Sequence, residues 1–285
     1  MNTRHRIGCT ALVVLALALG MAAHVSAQEM LQAIRVKDSG PLVDPEAAFW
    51  KGVNAVQVTM IPQIVTTPMN LNAAIKSLIV KAAHNGQWLA ILMQWNDPTK
   101  NDHIMLDGFG DQVAVELPVH YMKDALPSPM MGNPGGLVNI WQWRAAFQHD
   151  IEHGEPQLLE LYPNTQADLY PDQVLRAIDA RPYMGALGVD NPVSRPKQSP
   201  VLDQEAEGWG TMTVHPEQNA DGRGIWKDGV WRVVITHPLV TPSEHHLRIQ
   251  PGTETVIAFA VWDGGNREVG SRKAWSAWVP LKLAK

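Results

Sequence analysis

Apolar residues in this chain fall into short runs that either alternate with polar neighbours or stay apolar for one strand length. The runs cover 53–61, 74–83, 88–95, 112–119, 137–143, 209–214, 224–235, 255–262 and 273–283. Alternation at a period of two marks a half-buried strand, and an unbroken run this short suits a strand covered on both sides. Asn85-Gly86 follows one run, and Asp228-Gly229 lies between Trp226 and Trp231. Both dipeptides accept the left-handed backbone of a tight hairpin loop. There is no long amphipathic helix and no fixed-period repeat, while Pro and Gly recur throughout. About nine strands joined by tight turns predict an all-β fold, a two-sheet antiparallel β-sandwich.

Two regions depart from this pattern. The stretch 148–206 is rich in Pro, Asp, Gln and Tyr, and only 171–180 has helical spacing. It reads as a long, partly helical excursion of the sandwich rather than a second domain, and such segments usually serve as lids or docking surfaces. The N-terminus has Arg4 and Arg6, an apolar run over 7–21, and Val25-Ser26-Ala27 before Gln28. These are the basic, hydrophobic and cleavage regions of a signal peptide. Residues 1–27 are therefore expected to be removed on export to the periplasm, leaving 28–285 as a single domain. The apolar run is shorter than the ~20 residues of a membrane span.

Composition narrows the function. Lys+Arg number 23 against 28 Asp+Glu, a net charge of -5, which loss of the two leader arginines makes about -7. An acidic surface without a basic run argues against nucleic acid and anionic membranes. Cys9 is the only cysteine. It precedes the hydrophobic region, the wrong place for a lipid anchor. The mature chain thus has no thiol for disulfides, iron–sulfur ligation, zinc-thiolate sites or c-type haem attachment.

The sharpest literal motif is His149-Asp150-Ile151-Glu152-His153, an H-x-x-E-H pattern. On a helix it could seat Zn²⁺ with Glu152 as base. A strand-like lead-in and Gly154 and Pro156 just after it predict a loop instead. His245-His246 reads as a solvated loop beside Pro242 and Ser243. Asp97, Asp107, Asp111 and Asp263 lack EF-hand spacing, and Asp97-Pro98 and Asp263-Gly264 read as turns. Trp141 and Trp143 share a strand face, and Trp275 and Trp278 flank the last strand; they suit core packing or a flat ligand. Met130 and Met131 sit in a loop before Gly132, and Lys273 opens the final segment.

Several segments, taken in order, resemble the haem b (gamma) subunit of the type II dimethyl-sulfoxide-reductase family, the group of the ethylbenzene, dimethyl-sulfide, selenate and chlorate enzymes. They are Met93-Gln-Trp-Asn-Asp-Pro-Thr-Lys100, the 107–118 stretch, Met131-Gly132 with Val138-Asn-Ile-Trp-Gln-Trp143, the 222–231 hairpin, and the 258–264 and 272–276 segments. The resemblance implies a periplasmic electron-transfer subunit, not an enzyme by itself, burying one non-covalent haem b near one end of the sandwich. It implies Met131 and Lys273 as axial ligands, with Met130 one register away and Lys282 and Lys285 beyond the matched segment. It also implies a heterotrimer with a molybdopterin catalytic subunit and an iron–sulfur subunit, exchanging electrons with a soluble periplasmic cytochrome. The alternative from another class is a haem-free, secreted carbohydrate- or surface-binding module whose tryptophans stack on sugar rings.

Overall fold

Strand-length apolar runs become strands because each can bury one face against the opposing layer. The computed structural model describes residues 29–285 except 104, 106, 157, 167–173, 175, 176, 181–190, 192, 194, 195 and 244. The signal peptide expected at 1–27 and half of the helix expected at 171–180 lie outside these residues.

The strands are β1 (Leu31–Arg35), β2 (Val56–Thr59), β3 (Ile61–Pro62), β4 (Ser77–His84), β5 (Trp88–Asn96), β6 (Gln112–Pro118) and β7 (Val138–Arg144). After two helices, α1 (Ala145–His153) and α2 (Leu158–Leu161), come β8 (Val201–Ala206), β9 (Thr213–Val214), β10 (Asp221–Lys227), β11 (Val230–Pro238), β12 (Glu254–Trp262), β13 (Ala274–Trp275) and β14 (Val279–Leu283). The first layer runs β10-β11-β5-β4-β1-β14-β12, with β2 also on β4. The second runs β12-β6-β7-β8-β9, with β13 on β12 and β3 on β13. β12 belongs to both layers: its first half pairs with β14 and its second half with β6.

Both expected hairpins form. β4 and β5 are joined through Asn85-Gly86-Gln87 with Gly86 at φ 91°. Asp228 and Gly229 both take positive φ between β10 and β11, pairing Trp226 across from Trp231. One expectation is modified: β1 lies parallel to both β4 and β14, so the sheet is mixed rather than purely antiparallel.

The main core lies between the layers, where Val80, Ile91, Met93 and Val233 of the first layer belong to one cluster with Val115, Trp141, Trp143 and Phe259 of the second. Gly224 is required by this contact, because a Cβ there would stand 2.3 Å from the Trp143 ring. A smaller cluster of Ala114, Val138, Ile140, Ala206 and Trp262 covers the other face of the second layer.

Three sequence expectations are corrected. The long, partly helical excursion expected over 148–206 stops short of its last residues, because Val201–Ala206 is β8, a nearly buried strand beside β7. The His149–His153 motif is not in a loop. Chain leaving β7 enters α1 directly at Arg144, and Gly154 ends the helix at φ 91°. His246 is 1% exposed rather than solvated, although its neighbour His245 is exposed.

Candidate functional site

The outer face of the second layer has unusually small side chains. Alternation along β6 and β12 turns Ala114, Glu116, Ala258 and Ala260 away from the main core, and Ile140 of β7 lies beside them. They floor a narrow cleft that Pro129, Trp262, Lys273 and Trp275 also line. Flat, apolar flooring with few polar groups is the usual form of a small-molecule site.

Met131 meets this patch from one side. Its side chain packs, partly buried, on the cluster of Ala114, Ile140 and Trp262, a cluster that does not include Met130. The backbone there is held against its preference: Met131 has φ 69° and Gly132 φ 70°. A non-glycine residue in the left-handed region costs on the order of 1 to 3 kcal/mol and persists only where its surroundings hold it. Here the Met131 N–H donates to Glu116 Oε2 at 3.1 Å, and the Met131 carbonyl accepts the Gly208 N–H at 2.7 Å. Gly132 has no alternative, since a Cβ would lie 2.4 Å from the Gly136 carbonyl oxygen.

Lys273 enters from the segment leading into β13. Its carbonyl accepts the Gln63 N–H at 3.0 Å, which fixes its backbone beside the cleft. The amine lies 5.3 Å from the Trp262 ring centre. Desolvation holds Lys273 below the ordinary lysine range, and Glu116 opposes that shift. Burial pushes the Glu116 carboxyl up to about 7, while Lys273 and the N–H groups of Met131 and Gly132 pull it back. One Glu116 oxygen has no hydrogen-bond partner. Sequence reading missed Glu116; its one signal was a lone acid inside the Gln-Val-Ala-Val-Glu-Leu-Pro strand. Lys282 is instead ion-paired with Glu254 at 2.7 Å, and Lys285 is exposed.

The four tryptophans divide between the inner core and the outer face of the second layer. Trp141 and Trp143 are 1% and 0% exposed inside the main core, so they present no face to a sugar. Trp275 lines the cleft, and Trp278 packs on the outer cluster with Nε1 donating to the Pro127 carbonyl. Donor type and placement fit a haem: a thioether and a neutral-leaning amine approach one flat apolar surface, and the floor supplies no competing charge except Glu116.

Other chemistry-bearing groups lie elsewhere. On α1, His149 and His153 stack at 4.4 Å, and His103 lies 3.9 Å from His149 beside Asp102. Helical spacing does bring the two imidazoles of the motif together, but the Glu152 carboxylate is engaged by Gln148 Nε2. Asp97, Asp111 and Asp263 are buried together, whereas Asp107 is exposed. Burial and the neighbouring Asp97 push Asp111 up to about 7, even though Asn101, Gly264 and Trp231 donate to it.

Comparisons with known proteins agree with the resemblance. The chlorate reductase gamma subunit of Ideonella dechloratans is 27% identical over 253 residues, covering 87% of this chain and 82% of that protein. A Haloferax mediterranei protein, described as a candidate heme subunit of a respiratory nitrate reductase, is 25% identical and covers 82% and 66%. The dimethylsulfide dehydrogenase gamma subunit of Rhodovulum sulfidophilum is 23% identical and covers 91% and 83%. Among solved structures, a family 9 carbohydrate-binding module of Caldicellulosiruptor kristjanssonii in complex with glucose aligns at TM-score 0.42 and 13% identity, covering 89% of this chain and 96% of that one. A crystal structure from Bacteroides uniformis, described as a candidate carbohydrate-binding protein, aligns at TM-score 0.44 and 7% identity, covering 90% and 99%. The family model described as ethylbenzene dehydrogenase matches residues 47–274, most of the described fold and both Met131 and Lys273. The chain belongs to the ethylbenzene dehydrogenase family.

Proposed function

We propose that this chain is the haem b-carrying, electron-transfer subunit of a molybdenum oxidoreductase, exported to the periplasm and not catalytic by itself. The observation that carries the reading is the convergence of Met131 and Lys273 on one apolar face of the second layer. Relatives named as gamma or heme subunits support it. Its partners are then a molybdopterin catalytic subunit and an iron–sulfur subunit in a heterotrimer, with a soluble cytochrome as the external partner.

Bound haem supplies a one-electron ferric/ferrous couple. Everything else falls to the chain. Met131 offers a soft, neutral thioether that needs no proton removed and favours the ferrous state. Lys273 must be unprotonated to offer its lone pair, and the desolvation that lowers its proton affinity moves it toward that state. Glu116, itself pushed up to about 7, is placed to hold a proton beside the amine. The alanine floor excludes water. Met131 and Lys273 would hold the iron from the chain, and a haem held by two side chains would supply electron transfer rather than oxygen chemistry. With about 20 Å³ of free space, the cleft as it stands is far smaller than the roughly 300 to 1,000 Å³ of ligand sites, so seating a porphyrin requires the loop carrying Pro129 to Met131 to lie back from the sheet.

Purified protein should be red, with a pyridine haemochrome of the b type and a six-coordinate low-spin spectrum. A colourless protein that takes up no added haemin would overturn the reading. Co-purification with the two larger subunits tests the proposed assembly.

A further inference from the structure

We propose that a second metal, a structural zinc ion, is held between the two layers by Asp203, His237 and His246. Asp203 comes from β8 of the second layer, His237 from β11 of the first, and His246 from the loop after β11. All three are essentially buried, at 0%, 1% and 1% exposure. One ligand atom from each lies within 4.8 Å of the others.

Hydrogen bonding makes the case. His237 Nδ1 lies 2.7 Å from the Pro238 carbonyl oxygen, which can only accept, so Nδ1 carries the ring proton. A neutral His237 then aims the lone pair of Nε2 at the Asp203 carboxylate, 3.2 Å away. Two acceptors facing each other need a cation between them, either a proton or a metal. A backbone carbonyl fixing one ring nitrogen so that the other can ligate is the ordinary support of a metal-bound histidine. His246 removes the simpler answer. Its Nδ1 lies 3.7 Å from the same Asp203 oxygen, and neither ring nitrogen has a hydrogen-bond partner. A proton between His237 and Asp203 leaves that buried imidazole with no partner at all; a metal gives its Nδ1 one.

Spacing agrees. Tetrahedral zinc with bonds of about 2.0 to 2.1 Å has ligand atoms about 3.3 Å apart, and the two measured separations, 3.2 and 3.7 Å, bracket that value. The ring of His215 packs 4.0 Å from that of His246. Trp141 stacks on His237 at 4.3 Å and fixes the ring plane. A cleft of about 530 Å³ lined by Val119, His120, His245, His246 and Arg248 leads to His246 and gives an ion a way in. The only cysteine is Cys9, so no disulfide can tie the layers; a metal spanning β8 and β11 would tie them instead.

The test uses the full, haem-loaded chain, stripped with chelator and titrated with Zn²⁺ or with Co²⁺ as a coloured probe. One equivalent should bind, Co²⁺ should show tetrahedral d–d absorption, and the haem spectrum should not change. His246→Cys should add a thiolate-to-cobalt charge-transfer band, a gain of signal that a misfolded variant would not give. Asp203→Asn should weaken binding by at least about tenfold, and His149→Ala should leave it unchanged. Failure of the unmodified chain to take up one equivalent overturns the proposal and leaves an imidazolium–carboxylate pair. Uptake lost in His149→Ala but retained in Asp203→Asn overturns it in favour of the surface cluster on α1.

Discussion

At the scale of single residues, the two methionines before Gly132 separate by what they touch. Met131 packs on the outer apolar cluster and holds a left-handed backbone, whereas the Met130 carbonyl accepts the indole N–H of the exposed Trp209. Met131→Ala is expected to lose the low-spin six-coordinate spectrum or most of the haem, and Met130→Ala to keep both; absorption spectra of the two purified variants decide it. Lys273→Ala is expected to open a position that binds added imidazole, seen as a Soret shift on titration, where the unmodified chain gives none. An unchanged spectrum in that variant would move the ligand away from Lys273. The sequence carried Met131 and Lys273 only through the family pattern, because a methionine in a loop and a lysine before a strand are ordinary taken singly. Glu116 showed only as a lone acid in an apolar strand: what makes it unusual is the backbone N–H and amine converging on it from other segments of the chain. For the same reason, Asp203, His237 and His246 read as three unrelated positions.

At the scale of elements, turn chemistry was the most readable signal. Asn85-Gly86 and Asp228-Gly229 set two hairpins by their own backbone preferences, independent of the rest of the fold. β1 and β8 were not legible. β1 is five residues with Gln32 and Arg35 among them, and β8 buries Asp203 and Gln204 where a strand pattern calls for apolar side chains. α1 was misread because it follows β7 without a break, so the apolar spacing of the strand ran on into it. Its histidines share a face beside Asp102, yet Glu152 is engaged by Gln148, and Glu152→Gln is expected to leave any peptidase assay at background, as in the unmodified chain. The contact between β10 and β7 depends on a missing side chain. Gly224→Ala would drive a methyl group into the Trp143 ring, and overpacking of this kind costs typically about 1 to 3 kcal/mol. Urea unfolding of the variant should show that loss in its midpoint.

At the scale of the molecule, buried acids govern how stability varies with pH. Glu116 and Asp111 are both pushed up to about 7 by burial. Between the ordinary carboxylate range near 4 and pH 7, the haem-free folded chain therefore binds more protons than the unfolded chain, and stability falls as pH rises through that window. For Asp111 alone the change is on the order of 4 kcal/mol at most. Lys273, held low by desolvation, works in the opposite sense: the folded chain binds fewer protons below the ordinary lysine value near 10.4, and stability recovers as pH rises toward it. Denaturant midpoints of the haem-free chain should thus be lower at pH 7.5 than at pH 5. Asp97→Asn, which removes the charge beside Asp111, should narrow that gap; an equal gap would detach Asp97 from the effect. The parallel seating of β1 between β4 and β14 carries a different consequence, one of timing. Leu31 pairs with Leu281, so the first strand of the fold finds its second neighbour only when the last strand is present. A polypeptide delivered from its N-terminal end must hold that place open until nearly all of it has emerged, so the layers close late.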